Sequence, residues 1–286
     1  MTVKQLITDI TRRLQPLYDP REAAAVASLY VCSRLCMERH EIALRRDEEV
    51  PEALSPQVRN EVGQLADGCP VQYVIGETDF YGLPFQVNPS VLIPRPETEE
   101  LVQMIVRQYE NRRVDIWDVG TGSGCIAVSL AKMLPSARVF ATDISENALE
   151  VARGNAALNG VGVSFACHDL RDVENLPFGN RRFDVIVSNP PYVPASDRAS
   201  MHRNVAGYEP ALALFVPDDD KLWCYDALAR VGRRVLNPAG RVFAETYHNF
   251  HDEIGEIFQA FGYQDIQSYR DLNNHLRFIS ASTANG

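Results

Sequence analysis

The chain has 286 residues, 45% apolar and 23% charged, and its 28 basic and 38 acidic side chains leave a net charge of −10. This is the balance of an ordinary soluble globular protein, long enough to bury a substantial core in one large domain or two smaller ones. It speaks against a broad nucleic-acid surface, which needs Lys/Arg clusters to neutralise phosphates, so no direct DNA binding is expected.

No apolar run approaches membrane-spanning length, and Met1-Thr2-Val3-Lys4-Gln5 lacks the apolar core of a signal peptide, so a cytoplasmic location is expected. The six cysteines form no CxxC pair, which gives no support for a metal. Cys32 and Cys36 are expected on one helix face as small buried hydrophobes. His248 and His251 read as ordinary surface or capping histidines rather than ligands.

Residues 1–72 read as a small helical bundle. Leu6, Ile7, Ile10, Leu14 and Leu17 fall at helical spacing, Pro20 suits the start of a second helix, and a third follows Ser55-Pro56 and ends at Gly68. No polar constellation stands out here, and recognising a partner or covering a site is the expected task. Over residues 73–94 two short aromatic and β-branched runs, beginning at Tyr73-Val74-Ile75, surround a glycine-containing break and predict a β-hairpin linker. Pro96 then suits a first helical turn, and Glu97, Glu99 and Glu100 favour the positive end of that helix.

Residues 95–286 predict an α/β domain with a mostly parallel sheet. Val114-Asp115-Ile116-Trp117-Asp118-Val119 is a buried strand that turns through Gly120-Thr121-Gly122-Ser123-Gly124 into a helix, and such a loop lets a ligand approach backbone amides. A second strand ends on Asp143, about 20 positions further on, whose carboxylate can accept both hydroxyls of a ribose. At this point a dinucleotide enzyme and a methyltransferase both fit. A third strand ends near Asp169 and Leu170, where the carboxylate could accept an adenine amino group and the leucine pack on the ring.

The fourth strand, Phe183-Asp184-Val185-Ile186-Val187, leads into Ser188-Asn189-Pro190-Pro191-Tyr192. Two prolines remove two backbone donors and stiffen the turn, so the Asn189 side chain and the Pro190 carbonyl can grip a planar NH2 by both hydrogens, with Tyr192 as a flat face beside it. A nicotinamide enzyme has no need of that acceptor pair, so the four strand ends together favour methyl transfer to a planar nitrogen. Residues 194–220 read as a long irregular lid or binding loop. A helix over 222–236, a strand over 241–245, a helix over 251–261 and two strands near 263–269 and 276–282 complete the domain, with a frayed tail from Ser280.

With these motifs in hand, the chain resembles the HemK/PrmC family of N5-glutamine methyltransferases. The likeness rests on Ile93-Pro94-Arg95-Pro96-Glu97-Thr98-Glu99, the Gly120 loop, Asp143, Asn189-Pro190-Pro191-Tyr192 and Tyr208-Glu209-Pro210, and covers nearly the whole length. It implies a Rossmann-like S-adenosylmethionine-dependent domain with a seven-stranded sheet, and class 1 peptide-chain release factors as protein substrate, methylated on the glutamine of a Gly-Gly-Gln tip. It further implies that Gly120, Thr121, Gly122, Ser123, Gly124, Asp143, Asp169, Leu170 and Asn189 contact S-adenosylmethionine. Asn189, Pro190, Pro191 and Tyr192 would hold the glutamine, with Asn189, Pro190 and Tyr192 at the chemical step. A sister activity on ribosomal protein L3 shares these motifs, and amino-methylation of adenine in DNA is the more distant alternative. Leu170 stands where relatives often carry an aromatic residue. The stretches Pro217-Asp218-Asp219-Asp220 and Tyr269-Arg270-Asp271-Leu272-Asn273-Asn274-His275 depart from the family pattern in lacking a glycine.

Overall fold

The computed structural model describes residues 1–284, except the side chains of Ala53 and Ser55. The chain divides into two compact units, one of Met1–Glu77 with His202–Tyr208, the other of Thr78–Met201 with the chain from Glu209 onward.

In the first unit, α1 (Val3–Leu14) opens on a capping box. Thr2 Oγ1 accepts from the Gln5 N–H at 3.2 Å, while Gln5 Oε1 accepts from the Thr2 N–H at 2.9 Å. Leu6, Ile10 and Leu14, four residues apart, form its buried stripe. Asp19 caps α2 (Pro20–Leu35), with Pro20 in its first turn. This helix ends at Cys36, whose φ of 50° turns it out of the helix, so Cys32 is buried but Cys36 is exposed and the expected shared buried face does not exist.

After α3 (Glu41–Leu44) come α4 (Ser55–Ala66) and α5 (Val71–Ile75). The stretch Tyr73-Val74-Ile75 is therefore helical, not a strand. Pro70 precedes the helix, Gly76 closes it at φ 90°, and Val71 and Val74, three apart, bury one face. A polar cluster unseen in the sequence also lies here. The Arg34 guanidinium donates to both oxygens of Glu61, at 2.7 and 2.9 Å, and to the Val74 carbonyl at 2.6 Å, while the Tyr30 hydroxyl donates to Glu61 at 2.8 Å. Burial raises the Tyr30 phenol well above its usual range.

Next in the chain is a hairpin, β1 (Glu77–Phe80) and β2 (Leu83–Gln86), whose two-residue turn has Tyr81 and Gly82 at φ 52° and 71°. Then follow α6 (Pro96–Tyr109), β3 (Asp115–Val119), α7 (Cys125–Met133), β4 (Arg138–Asp143), α8 (Glu146–Leu158), β5 (Val163–Cys167) and β6 (Phe183–Ser188). Residues 194–220 are not irregular. They hold a 3-10 turn at Ala195–Ser200, α9 (Arg203–Tyr208) and α10 (Ala211–Leu214), and β7 (Val193–Pro194) pairs in parallel with β8 (Phe215–Val216). Of these, α9 belongs to the first unit, where His202 stacks on Tyr18 at 5.2 Å and the Tyr208 hydroxyl donates to the Asp67 carbonyl at 3.0 Å.

The chain ends with α11 (Trp223–Val235), β9 (Leu236–Glu245), α12 (His251–Ala260), β10 (Gln264–Arg270) and β11 (Leu276–Ser282). β9 starts five residues before the expected strand, with a register shift against β6. His251 is not a surface residue. It is 3% exposed, with Nδ1 2.8 Å from Thr246 Oγ1, and burial lowers its pKa. Ser280 is fully buried within β11 rather than frayed, and residues 285 and 286 lie outside the described residues.

Seven strands form one sheet in the order β10-β11-β9-β6-β3-β4-β5. The pairs from β5 across to β9 are all parallel, and β11 runs against both its neighbours. A parallel sheet needs cover on both faces. Leu101, Ile105, Ile126, Leu130 and Phe243 belong to one buried cluster, and Trp117, Ile186, Leu228, Ile254 and Phe258 to the other.

Candidate active site

From β3 the chain winds outward through β4 and β5, then returns to place β6 on the other side of β3. In open α/β sheets such a reversal leaves a crevice at the carboxyl ends of the two central strands. Gly120 follows β3 directly and Asn189 follows β6, and Ser188 Oγ ties the strands there by donating to the Val119 carbonyl at 2.7 Å. One cavity occupies this crevice. It is lined by Gly120, Thr121, Gly122 and Ser123, by Asp143, by Asp169 and Leu170, and by Asn189, Pro190 and Pro191. Thr98 and Arg95 line it from the start of α6. Gly124 and Tyr192, of the residues expected at the site, stand outside the lining.

The glycine loop takes its shape from left-handed backbone at φ 74°, 55° and 81° for Gly120, Gly122 and Gly124. A Cβ on Gly120 or Gly122 would meet no protein atom within 4 Å, whereas one on Gly124 would lie 3.0 Å from Ala152 Cβ. The first two glycines therefore leave open space, and the third allows α7 and α8 to approach. Asp143 Oδ2 accepts from the Gly122 N–H at 2.8 Å and Oδ1 from the Ser145 N–H at 2.9 Å, so the carboxylate braces the loop it faces. Burial raises its pKa against these two bonds. Asp169 Oδ1 accepts from the Arg171 N–H at 2.9 Å.

Sequence reasoning missed Asp118, although an aspartate inside an otherwise apolar strand just before three glycines is a readable signal. It is fully buried. Oδ2 accepts from Thr121 Oγ1 at 2.5 Å and from the Ala127 N–H at 3.2 Å, joining the loop to the first turn of α7. Oδ1 has no partner among the described residues, and burial pushes the carboxyl up to about 7.

At the other end of the cavity Asn189 Nδ2 donates to Thr98 Oγ1 at 3.1 Å, and Thr98 Oγ1 donates to Glu245 Oε2 at 2.8 Å. The Tyr192 hydroxyl donates to Glu245 Oε1 at 3.1 Å, and its ring stacks on Tyr247 with centroids 5.8 Å apart. Burial raises the Glu245 pKa, opposed by the Thr98 bond, the Arg277 charge and the Tyr192 bond. Arg95 and Glu209, 114 positions apart, form an ion pair at 2.6 Å, and Glu209 also accepts from the Ile93 N–H at 3.0 Å. Thr98, Glu245 and this pair carried no assigned role in the sequence. Their partners lie too far along the chain to leave a local pattern.

Comparison with known proteins bears on the same regions. Residues 5–76 match the PrmC N-terminal domain and residues 116–208 a methyltransferase domain. A release factor glutamine methyltransferase from Flavobacterium psychrophilum is 37% identical over 286 residues, covering 99% of both chains. The chain belongs to the release factor glutamine methyltransferase family. A second member, from Bacteroides thetaiotaomicron, is 37% identical over 273 residues, covering 96% of this chain and 97% of its own. A methyltransferase from Pyrococcus furiosus, 17% identical, shares the fold with a TM-score of 0.52 over 81% of this chain and 99% of its own. The methyltransferase match runs from β3 through α9 and takes in the glycine loop, Asp143, Asp169 and Asn189. Among the described residues no group of three or more His, Cys, Asp or Glu side chains could hold a metal ion, and no helix is long and apolar enough to cross a membrane.

Proposed function

We propose that the chain transfers the methyl group of S-adenosylmethionine to the side-chain amide nitrogen of a glutamine in class 1 peptide-chain release factors. The observation that carries this reading is that one cavity is lined both by the glycine loop with Asp143 and by Asn189-Pro190, in a chain similar to release factor glutamine methyltransferases from end to end. S-adenosylmethionine supplies an electrophilic methyl on a positively charged sulfur. The residues present suit it. Gly120 and Gly122 leave backbone accessible, Asp143 offers carboxylate oxygens to a ribose, and Asp169 and Leu170 suit an adenine edge and face.

The chain's own work is positioning. A carboxamide nitrogen is a poor nucleophile because its lone pair is delocalised into the carbonyl. Two acceptors on its hydrogens, Asn189 Oδ1 and the Pro190 carbonyl, would turn that lone pair toward the electrophile, and most of the rate gain would come from this orientation. No dedicated base is required, since an N-alkylated amide cation is a strong acid and loses its proton to water or a carbonyl. Tyr192 would hold Pro190-Pro191 from outside the cavity through its bond to Glu245. Incubating the purified chain with labelled S-adenosylmethionine and, separately, a release factor, ribosomal protein L3 and DNA tests the reading. Label on the release-factor glutamine is the expected result. Label on L3 or DNA alone, or on none of the three, would overturn it.

A further inference from the structure

The oxygen and nitrogen of a side-chain amide are nearly equal in size, so hydrogen-bond partners alone decide which of them faces a ligand. For Asn189 the deciding partner is Thr98. A threonine hydroxyl has one hydrogen and two lone pairs. Its hydrogen is committed to Glu245 Oε2 at 2.8 Å, so toward Asn189 it can only accept, and an NH2 group must sit there, 3.1 Å away. Asn189 Oδ1 receives no donor from the described residues, and Asn189 lines the cavity.

The direction of this chain of bonds starts at Glu245. Both oxygens of this carboxyl accept from hydroxyls, and it is held from several sides. Thr98 donates to Oε2 and the Tyr192 hydroxyl to Oε1, and Arg277 Nη1 lies 3.9 Å from Oε1, itself pinned by Asp271 at 3.0 Å. Thr98 is 2% exposed and Glu245 1%, so water does not compete. We infer that Glu245 and Thr98 are positioning residues that set the polarity of the acceptor amide: carboxylate fixes hydroxyl, hydroxyl fixes NH2, and the Asn189 oxygen is left to receive the substrate's N–H. This inference rests on the function proposed above for the substrate it names. The orientation of the amide itself does not.

Reversing the relay tests it. In Glu245→Gln the amide oxygen is held toward Arg277 and the NH2 toward Thr98, which turns the hydroxyl around and makes it a donor to position 189. The Asn189 amide then flips, presenting hydrogens where an acceptor is needed. An aspartate at 189 accepts that donor and still offers an oxygen to the cavity. Glu245→Gln and Asn189→Asp are each expected to lower kcat about 10- to 100-fold, the loss of one or two hydrogen bonds in the transition state. The double variant should recover at least about 10-fold over the poorer single, a reciprocal rescue that a purely structural role does not give.

Thr98→Ser should keep kcat within about threefold, and Thr98→Val should lower it about 10-fold or more in the wild type but less than about twofold in Asn189→Ala. A second readout needs no turnover. In full-length protein labelled with 15N-asparagine, the Asn189 NH2 signal, identified by its loss in Asn189→Ala, should show slow hydrogen exchange in the wild type and fast exchange in Glu245→Gln. No rescue in the double variant, equal Thr98→Val losses in both backgrounds, or unchanged exchange would each overturn the inference. If the wild type fails to methylate the release factor, the functional reading falls and the exchange measurement alone decides the orientation.

Discussion

Arg95 and Glu209 join two parts of the chain at the rim of the cavity. The guanidinium donates at 2.6 Å to a carboxylate whose side chain is 1% exposed and which also accepts from the Ile93 N–H. Arg95→Ala leaves that buried carboxylate with one neutral donor among the described residues, and is expected to cost about 1–3 kcal/mol. Adding Glu209→Gln should restore part of the loss, because a neutral amide can accept the Ile93 bond without a cation. Urea unfolding of the two variants checks this. A double variant less stable than Arg95→Ala would contradict it.

Asn189→Ala removes the proposed acceptor while leaving the glycine loop and Asp143 untouched. A loss of methylation rate on the order of 100-fold is expected, with the dissociation constant for S-adenosylmethionine changed less than about threefold. Rapid-quench methylation and calorimetric binding give the two numbers. Equal losses in both would remove Asn189 from the role assigned to it.

Gly122 and Gly124 should respond differently to the same substitution. At Gly124 an added Cβ meets both a φ of 81° and the Ala152 side chain at 3.0 Å, so Gly124→Ala is expected to destabilise by about 1–3 kcal/mol. At Gly122 the Cβ projects into open space, leaving a conformational cost of about 1–2 kcal/mol and a larger loss of cofactor affinity. Thermal unfolding without cofactor, followed by binding titration, separates the two. Equal affinity losses would place both residues in the same role.

Asp118 gives a pH dependence with a definite sign. Its folded pKa is raised to about 7, above the unfolded value near 3.9, so between these the folded state holds a proton that the unfolded state has released. Its contribution to stability is therefore fully present below the unfolded pKa and is lost as pH rises toward 7. Asp118→Asn mimics the protonated form. Its stability relative to wild type should rise with pH by at most about 1.4 kcal/mol per unit across that window and level off above it. Asp143 and Glu245, also raised by burial, cancel in the difference. A flat difference from pH 4 to 8 would mean that Asp118 is ionised throughout.

The parts of this molecule legible in its sequence are those governed by nearby residues. The near-continuous apolar runs of β3 and β6 announced buried parallel strands, and the glycines and Asp143 stood at the ends of such runs. Asn189-Pro190 was visible because two prolines can hardly do anything but stiffen a turn. What sequence reading could not reach were partners brought in by topology. Thr98 meets Glu245 across 147 positions, and no periodicity connects them. Short elements failed for a different reason. α9 and α10, of six and four residues, complete too few turns to show a hydrophobic period, and α5 has the β-branched composition of a strand until Gly76 closes it as a helix.

The seven residues His202–Tyr208 belong with the amino-terminal helices although the chain on either side of them belongs with the sheet. Dissection by truncation therefore has no clean cut. A fragment stopping at residue 77 would lose the ring stacked on Tyr18 and the hydroxyl that binds the Asp67 carbonyl, and a fragment starting at 78 would carry those groups with nothing to hold them. An autonomous amino-terminal piece would have to be built as a fusion, with residues 202–208 grafted behind residue 77 through a flexible spacer.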